Sequence, residues 1–130
     1  MADWIIVVDD DVTNLKMAGH ILSNANMRVT ALKSGRALLD YVSEKGTPDL
    51  ILLDIMMPEV DGFEVLKVLR SNPMTADIRI IILSALNSAE DVVRGYNLGA
   101  NDFITKPIIL EKLINSVSTQ LQIVDLSRLR

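Results

Sequence analysis

The chain has 130 residues, enough for one domain and too few for two. Hydrophobic residues make up 49% of it and aromatic residues only 4%, so the core is to be built from Ile, Leu, Val, Ala and Met. A net charge of -4 with a pI of about 4.9 argues against direct nucleic-acid binding, and the absence of cysteine removes disulfides, thiolate zinc sites and cysteine nucleophiles.

Short apolar runs alternate with segments of helical period. The runs are Trp4 to Val8, Arg28 to Leu32, Leu50 to Leu53, Ile78 to Leu83 and Asp102 to Thr105. The first, third and fourth are almost unbroken in Ile, Val and Leu, which is how strands covered on both faces read. Apolar stripes lie between and after them: Leu15, Ala18, Leu22 and Ala25; Leu38, Tyr41 and Val42; Val65, Leu66 and Leu69; Ala89, Val92, Val93 and Tyr96; Leu110, Leu113, Ile114, Val117 and Leu121. Ser34 and Ser88 are expected helix caps. Gly46 and Gly99 stand where the second and fourth helices should stop, and Pro73 follows the third. Five strand–helix units in series predict an open α/β sheet, parallel, with helices on both faces.

In such a sheet the site forms at the carboxyl ends of the strands. The first run ends in Asp9, Asp10 and Asp11, the third in Asp54, the fourth in Ser84-Ala85 and the fifth in Lys106-Pro107. Taken singly, each has an ordinary reading: an acidic loop, a strand-end acid, a cap, a surface lysine. Together they form an oxygen-only ligand set with one cation and one hydroxyl. Crowded carboxylates need a cation, and without cysteine and with a single histidine the donors suit a hard ion such as Mg²⁺, with Mn²⁺ as an alternative. Such a site can bind a phosphoryl group, and a carboxylate can itself be the nucleophile.

The chain resembles the receiver domain of two-component response regulators over essentially its whole length. The resemblance is carried by Ile5-Ile6-Val7-Val8-Asp9-Asp10, Asp54-Ile55-Met56-Met57-Pro58 with Asp61-Gly62, Ser84-Ala85, Gly99-Ala100-Asn101-Asp102-Phe103 and Lys106-Pro107. It implies a flavodoxin-like (βα)5 doubly wound sheet in strand order 2-1-3-4-5. It implies that Asp54 is the phosphoacceptor, with Lys106 and Ser84 completing the catalytic group. It assigns the metal to Asp9, Asp10, Asp54 and the Met56 backbone carbonyl. It makes Ser84 and Phe103 the switch residues and the Lys106–Pro107 bond cis. It implies a sensor histidine kinase or phosphotransfer protein as phosphodonor. An output domain or downstream protein would be engaged through the face of helix four, strand five and helix five, and phosphorylated chains could pair as homodimers. Met56 and Leu86, two residues after the phosphoacceptor and the switch hydroxyl, are poor at orienting an attacking water, so slow self-dephosphorylation is expected.

Two other classes share this fold. A flavodoxin-like cofactor binder would want a Ser/Thr/Gly-rich phosphate loop where Asp9, Asp10 and Asp11 stand. An aspartate-nucleophile hydrolase would carry a second acid where Met56 stands. His20 is expected to be a surface helix residue, not a phosphorelay histidine, and the six methionines to be core filler. Trp4 is expected to pack near the acidic pair and to sense Mg²⁺ there. Residues 1–122 are expected to form the receiver domain and 123–130 an extension of the last helix or the start of a linker. No apolar run approaches the length of a membrane span and the N-terminus lacks leader features, so a soluble cytoplasmic domain without membrane insertion is expected.

Overall fold

The computed structural model describes residues 3–57 and 61–128, with side chains through residue 123. Pro58, part of the motif that follows Asp54, lies outside the described residues, as do the side chains of residues 124–128 in the expected C-terminal extension. The elements run β1 (Trp4–Val8), α1 (Val12–Asn24), β2 (Arg28–Leu32), α2 (Gly35–Lys45), β3 (Leu50–Leu53), α3 (Gly62–Ser71), β4 (Arg79–Ser84), α4 (Ala89–Asn97), β5 (Asp102–Thr105) and α5 (Leu110–Arg128). The five strands form one parallel sheet in the order β2-β1-β3-β4-β5, as the resemblance implies.

Strand alternation divides the core in two. Ile6, Val8, Ile51, Leu53, Ile80 and Ile82 face Leu38, Val42, Val65, Leu66 and Leu69 of α2 and α3. Ile5, Val7, Leu50, Leu52, Ile81 and Leu83 face Leu15, Ala18 and Leu22 of α1 and Leu113, Val117 and Leu121 of α5. The predicted caps are in place: Ser34 accepts from the Ala37 N–H and Ser88 from the Asp91 N–H. Gly46 (φ 98°) and Gly99 (φ 108°) take the left-handed backbone that ends α2 and α4.

Four expectations need correction. β4 is shifted by one residue, so Ile78 lies outside it and Ser84 is its last rung, opposite Thr105. Ala25 is the C-cap of α1 and not part of its buried stripe. Leu110, at the exposed first turn of α5, also misses the core. The fourth concerns α4, whose stripe does not face the core. Ala89 is exposed, Val92 half-buried, and Val93 and Tyr96 are 56% and 45% exposed. The only buried residue of α4 is Gly95. A helical period shows that one face is apolar; it does not show that the sheet covers that face.

Candidate phosphoryl and metal site

After β1 the chain builds β2 on one side, then returns past β1 to β3 on the other, so direction reverses between β1 and β3. The ladder continues past both strand ends. The Asp9 N–H donates to the Leu32 carbonyl (3.1 Å) and the Asp54 N–H to the Val8 carbonyl (2.9 Å). These bonds fix both acids at the crevice. Asp9 is 1% and Asp54 3% exposed, while Asp10 faces solvent. One carboxylate oxygen from each of Asp9, Asp10 and Asp54 lies within 4.8 Å of the others.

Lys106 reaches this group from the loop after β5, where its N–H donates to the Ser84 carbonyl (2.8 Å) and its bond to Pro107 is cis. Its Nζ lies 2.8 Å from Asp9 Oδ2 and 3.2 Å from Asp54 Oδ2. Each acid keeps its other oxygen on a backbone donor: Asp9 Oδ1 accepts from the Asp11 N–H and Asp54 Oδ1 from the Met56 N–H, both at 2.9 Å. Asp9 Oδ2 is buried and has the Lys106 ion-pair contact but no hydrogen bond of regular geometry. Three converging carboxylates, one of them with an under-coordinated buried oxygen, fit an oxygen-ligated divalent cation, and among the described residues no histidine or cysteine joins the cluster.

The charges strain one another. Burial pushes the Asp54 carboxyl from 3.8 up to about 6; the Met56 N–H and the Lys106 ammonium oppose the rise and Asp9 adds to it. Burial pulls the Lys106 ammonium down, but Asp9 and Asp54 outweigh it and leave the pKa raised. One cation therefore holds two buried carboxylates, and a second cation would relieve the remaining repulsion.

Ser84 is fully buried, and its Oγ accepts from the Leu86 N–H (3.1 Å), leaving the hydroxyl proton to donate elsewhere. Phe103 pairs with Ile82, two rungs below Ser84 and Thr105 on the same sheet face, half-buried against the core. Met56 is 53% exposed at the rim of the site, and Leu86 is half-buried nearby in the chain. The structure thus brings Asp9, Asp10, Asp54 and Lys106 together and leaves His20 on the exposed face of α1, against Asn24. Trp4 is a further correction. It opens β1 at the opposite edge of the sheet, where its Nε1–H donates to Thr30 Oγ1 and Arg28 stacks on its ring. Five rises along β1, from Trp4 to Asp9, put it about 16 Å from the acids at about 3.3 Å each.

Gly62 belongs to the motif that follows Asp54, but its role shows only in the fold. A Cβ there would lie 2.2 Å from Ile55 Cα and 2.6 Å from the Asp54 carbonyl oxygen, so only glycine lets α3 start against the Asp54 backbone. Nothing in the sequence pattern marks Phe63 and Arg94; the Arg94 guanidinium sits over the Phe63 ring at 4.2 Å and joins α4 to α3.

The family model described as "Response regulator receiver domain" matches residues 5–118. The DNA-binding dual master transcriptional regulator RpaA of Synechocystis is 38% identical over 128 residues, covering 93% of this chain and 50% of RpaA. The chain spans about a quarter to a half of the length of the curated relatives it matches. Among solved structures, the signal receiver domain of a signal transduction histidine kinase from Syntrophus aciditrophicus is 35% identical with a TM-score of 0.85, covering 93% of this chain and 91% of that one. The Mn²⁺-bound form of response regulator Rcp1 is 28% identical with a TM-score of 0.77, covering 88% of each chain. The sequence match, the sheet order and the acidic cluster at the reversal point agree: the chain belongs to the response regulator receiver domain family, a signalling domain of two-component systems.

Proposed function

We propose that Asp54 accepts a phosphoryl group from the phosphohistidine of a sensor histidine kinase or phosphotransfer protein, and that the charge on Asp54 switches the domain. The observation that carries this reading is a buried carboxylate held beside a lysine and within reach of two further acids, at the reversal point of the sheet. A carboxylate oxygen of Asp54 attacks phosphorus, the phosphorus–nitrogen bond to the imidazole breaks, and the electron pair leaves with the ring nitrogen. Lys106 balances charge on the phosphoryl oxygens while keeping its contact with Asp9. The Ser84 hydroxyl, whose oxygen is already engaged by the Leu86 N–H, donates a hydrogen bond to a phosphoryl oxygen. The Met56 N–H holds the Asp54 carboxyl in plane for attack.

Asp9, Asp10, Asp54 and the Met56 backbone carbonyl would hold the ion, for which Mg²⁺ is the choice and Mn²⁺ the alternative. The Mn²⁺-bound relative lends support. The ion would supply charge compensation for the phosphoryl oxygens. Ser84 and Phe103 act as the switch, read on the face of α4, β5 and α5 by an output domain, a downstream protein or a second phosphorylated copy; exposed Val93 and Tyr96 on α4 favour that use. Several relatives are transcriptional regulators, but the acidic chain itself is assigned no nucleic-acid contact. The setting is the cytoplasm, and no described helix is long and apolar enough to cross a membrane. Residues 1–122 are taken as the receiver domain, and 123–130 as an extension of its last helix or the start of a linker; the run of α5 to Arg128 favours the extension. With Met56 and Leu86 beside the site, the acyl phosphate is long-lived.

Incubation with acetyl phosphate and Mg²⁺ tests the reading. The wild type should gain one phosphoryl group by intact mass and Asp54→Asn none. A wild type that gains nothing overturns it, and an acyl phosphate lost within seconds overturns the slow-hydrolysis part.

A further inference from the structure

Helix α4 is fastened unequally: before it Leu86 packs half-buried against the core and bonds Ser84, but the residues that follow are held little. Among the described residues, the side-chain and capping hydrogen bonds of residues 85–93 stay within that segment or reach Ser84, and none of residues 89–93 is buried. Farther along, the helix touches the body through Arg94, Gly95 and Tyr96, whose hydroxyl donates to Asp102 Oδ1 (3.2 Å) near the gripped end. A Cβ on Gly95 would lie 2.7 Å from Ile82 Cδ1 and 3.4 Å from the Phe103 ring, while the Arg94 guanidinium sits over the Phe63 ring at 4.2 Å. A guanidinium over a ring and a bare backbone are contacts that can slide.

The other end is gripped. Arg70, in the last turn of α3, makes four hydrogen bonds: Nε to the Gly99 carbonyl (2.9 Å), Nη1 to the Ala76 and Ile78 carbonyls (2.9 and 2.7 Å) and Nη2 to Asn101 Oδ1 (2.9 Å). Asn101 Oδ1 also accepts from the Ile80 N–H (2.8 Å), and the Asn101 N–H donates to the Ile80 carbonyl (2.8 Å). The turn is moulded on the arginine, since a Cβ on Gly99 would meet Arg70 Cγ and Nε at 2.9 Å. A planar guanidinium with donors fixed in direction makes a stiff joint.

We propose that Arg70, clamping the Gly99–Asn101 turn, is the pivot about which α4 swings, so that movement at Ser84 is delivered to the N-terminal half of α4 and stops at Gly99. Ser84 is coupled to that half by the Leu86 N–H on its Oγ, so a hydroxyl drawn toward a phosphoryl group takes the start of α4 with it. Arg70 is a positioning residue, remote from the chemistry. The inference rests on Asp54 being the phosphoacceptor.

Amide hydrogen exchange on the full chain, with and without acetyl phosphate and Mg²⁺, tests it. Before phosphorylation, the amides of residues 98–101 should exchange more slowly than those of 89–93. Phosphorylation should change exchange at 89–93 and leave 98–101 unaltered. Arg70→Gln should speed exchange at 98–101 by about tenfold or more, and phosphorylation should then alter both ends of the helix. Arg70→Lys, which keeps the charge but not the fork, should fall between and serves if the glutamine variant does not fold. Equal changes at both ends of wild-type α4, or an Arg70 variant whose phosphorylated pattern matches the wild type, overturns the pivot with phosphoryl transfer intact. A wild type that takes up no phosphoryl group instead overturns the phosphoacceptor reading and the swing built on it.

Discussion

Asp54 is a carboxylate folded into a place that resists its charge. Its pKa stands at about 6 against 3.8, with burial the largest cause. Between those values the folded chain holds a proton that the unfolded chain has released. Stability of the metal-free protein therefore falls as pH rises from about 4 to about 6, which reverses the usual behaviour of a paired aspartate. The raised pKa of Lys106 does not alter that window, because its contribution is lost only far above neutrality. In EDTA, Asp54→Asn should melt higher than the wild type at pH 7.5, with the gap narrowing at pH 5. Divalent cations need the ionised acids, so Mg²⁺ should raise the wild-type melting temperature more at pH 7.5 than at pH 5 and should do little for Asp54→Asn. Lys106→Met exposes the other side of the balance. It leaves Asp9 and Asp54 buried without a countercharge and should cost about 3 kcal/mol in urea unfolding, much of it recovered when Asp54→Asn is added.

The elements differ in how far their sequence predicts them. Strands β1, β3 and β4 are covered on both faces, so nearly every residue is apolar and the runs are legible almost to their ends. The candidate acids were legible for the same reason, since each follows directly on such a run. Helix α4 shows the limit. Its stripe has the right period, yet the contact with the sheet is made by Gly95, which no hydropathy pattern would select. Arg70 was invisible too, because an arginine in a last turn reads as an ordinary partner of the helix dipole. Glycine substitutions separate the two kinds of contact. At Gly62 a methyl meets backbone at 2.2 and 2.6 Å and nothing can give, so Gly62→Ala should cost about 3 kcal/mol or more and impair phosphorylation. At Gly95 the nearest atom is the flexible tip of Ile82, so Gly95→Ala should cost about 1 kcal/mol and leave phosphoryl uptake intact. Val93→Ser, on the exposed face, should stay within about 0.5 kcal/mol of the wild type. Chemical denaturation of the three proteins checks the order.

At the scale of the whole molecule the sheet has two poles with separate tasks. The carboxyl ends of the strands carry Asp9, Asp10, Asp54, Ser84 and Lys106. The amino ends carry Trp4 with Arg28 and the Arg70 clamp. Trp4 stands only five positions before Asp9, which invites placing them together; an extended strand converts that short spacing into its own full length. The indole is also occupied, with Thr30 on Nε1, Arg28 on one face and the Tyr41 ring edge-on at 6.1 Å. An ion held by the acidic cluster would touch none of these groups. Titrating Mg²⁺ into the metal-free protein should therefore leave the emission of its single tryptophan unchanged while the melting temperature rises. Saturable quenching that tracks the rise would mean that the two poles are coupled through β1. Arg28→Gln, by removing the cation from the ring, should change emission without altering the response to Mg²⁺, which sets the size of a local effect against which a transmitted one can be measured.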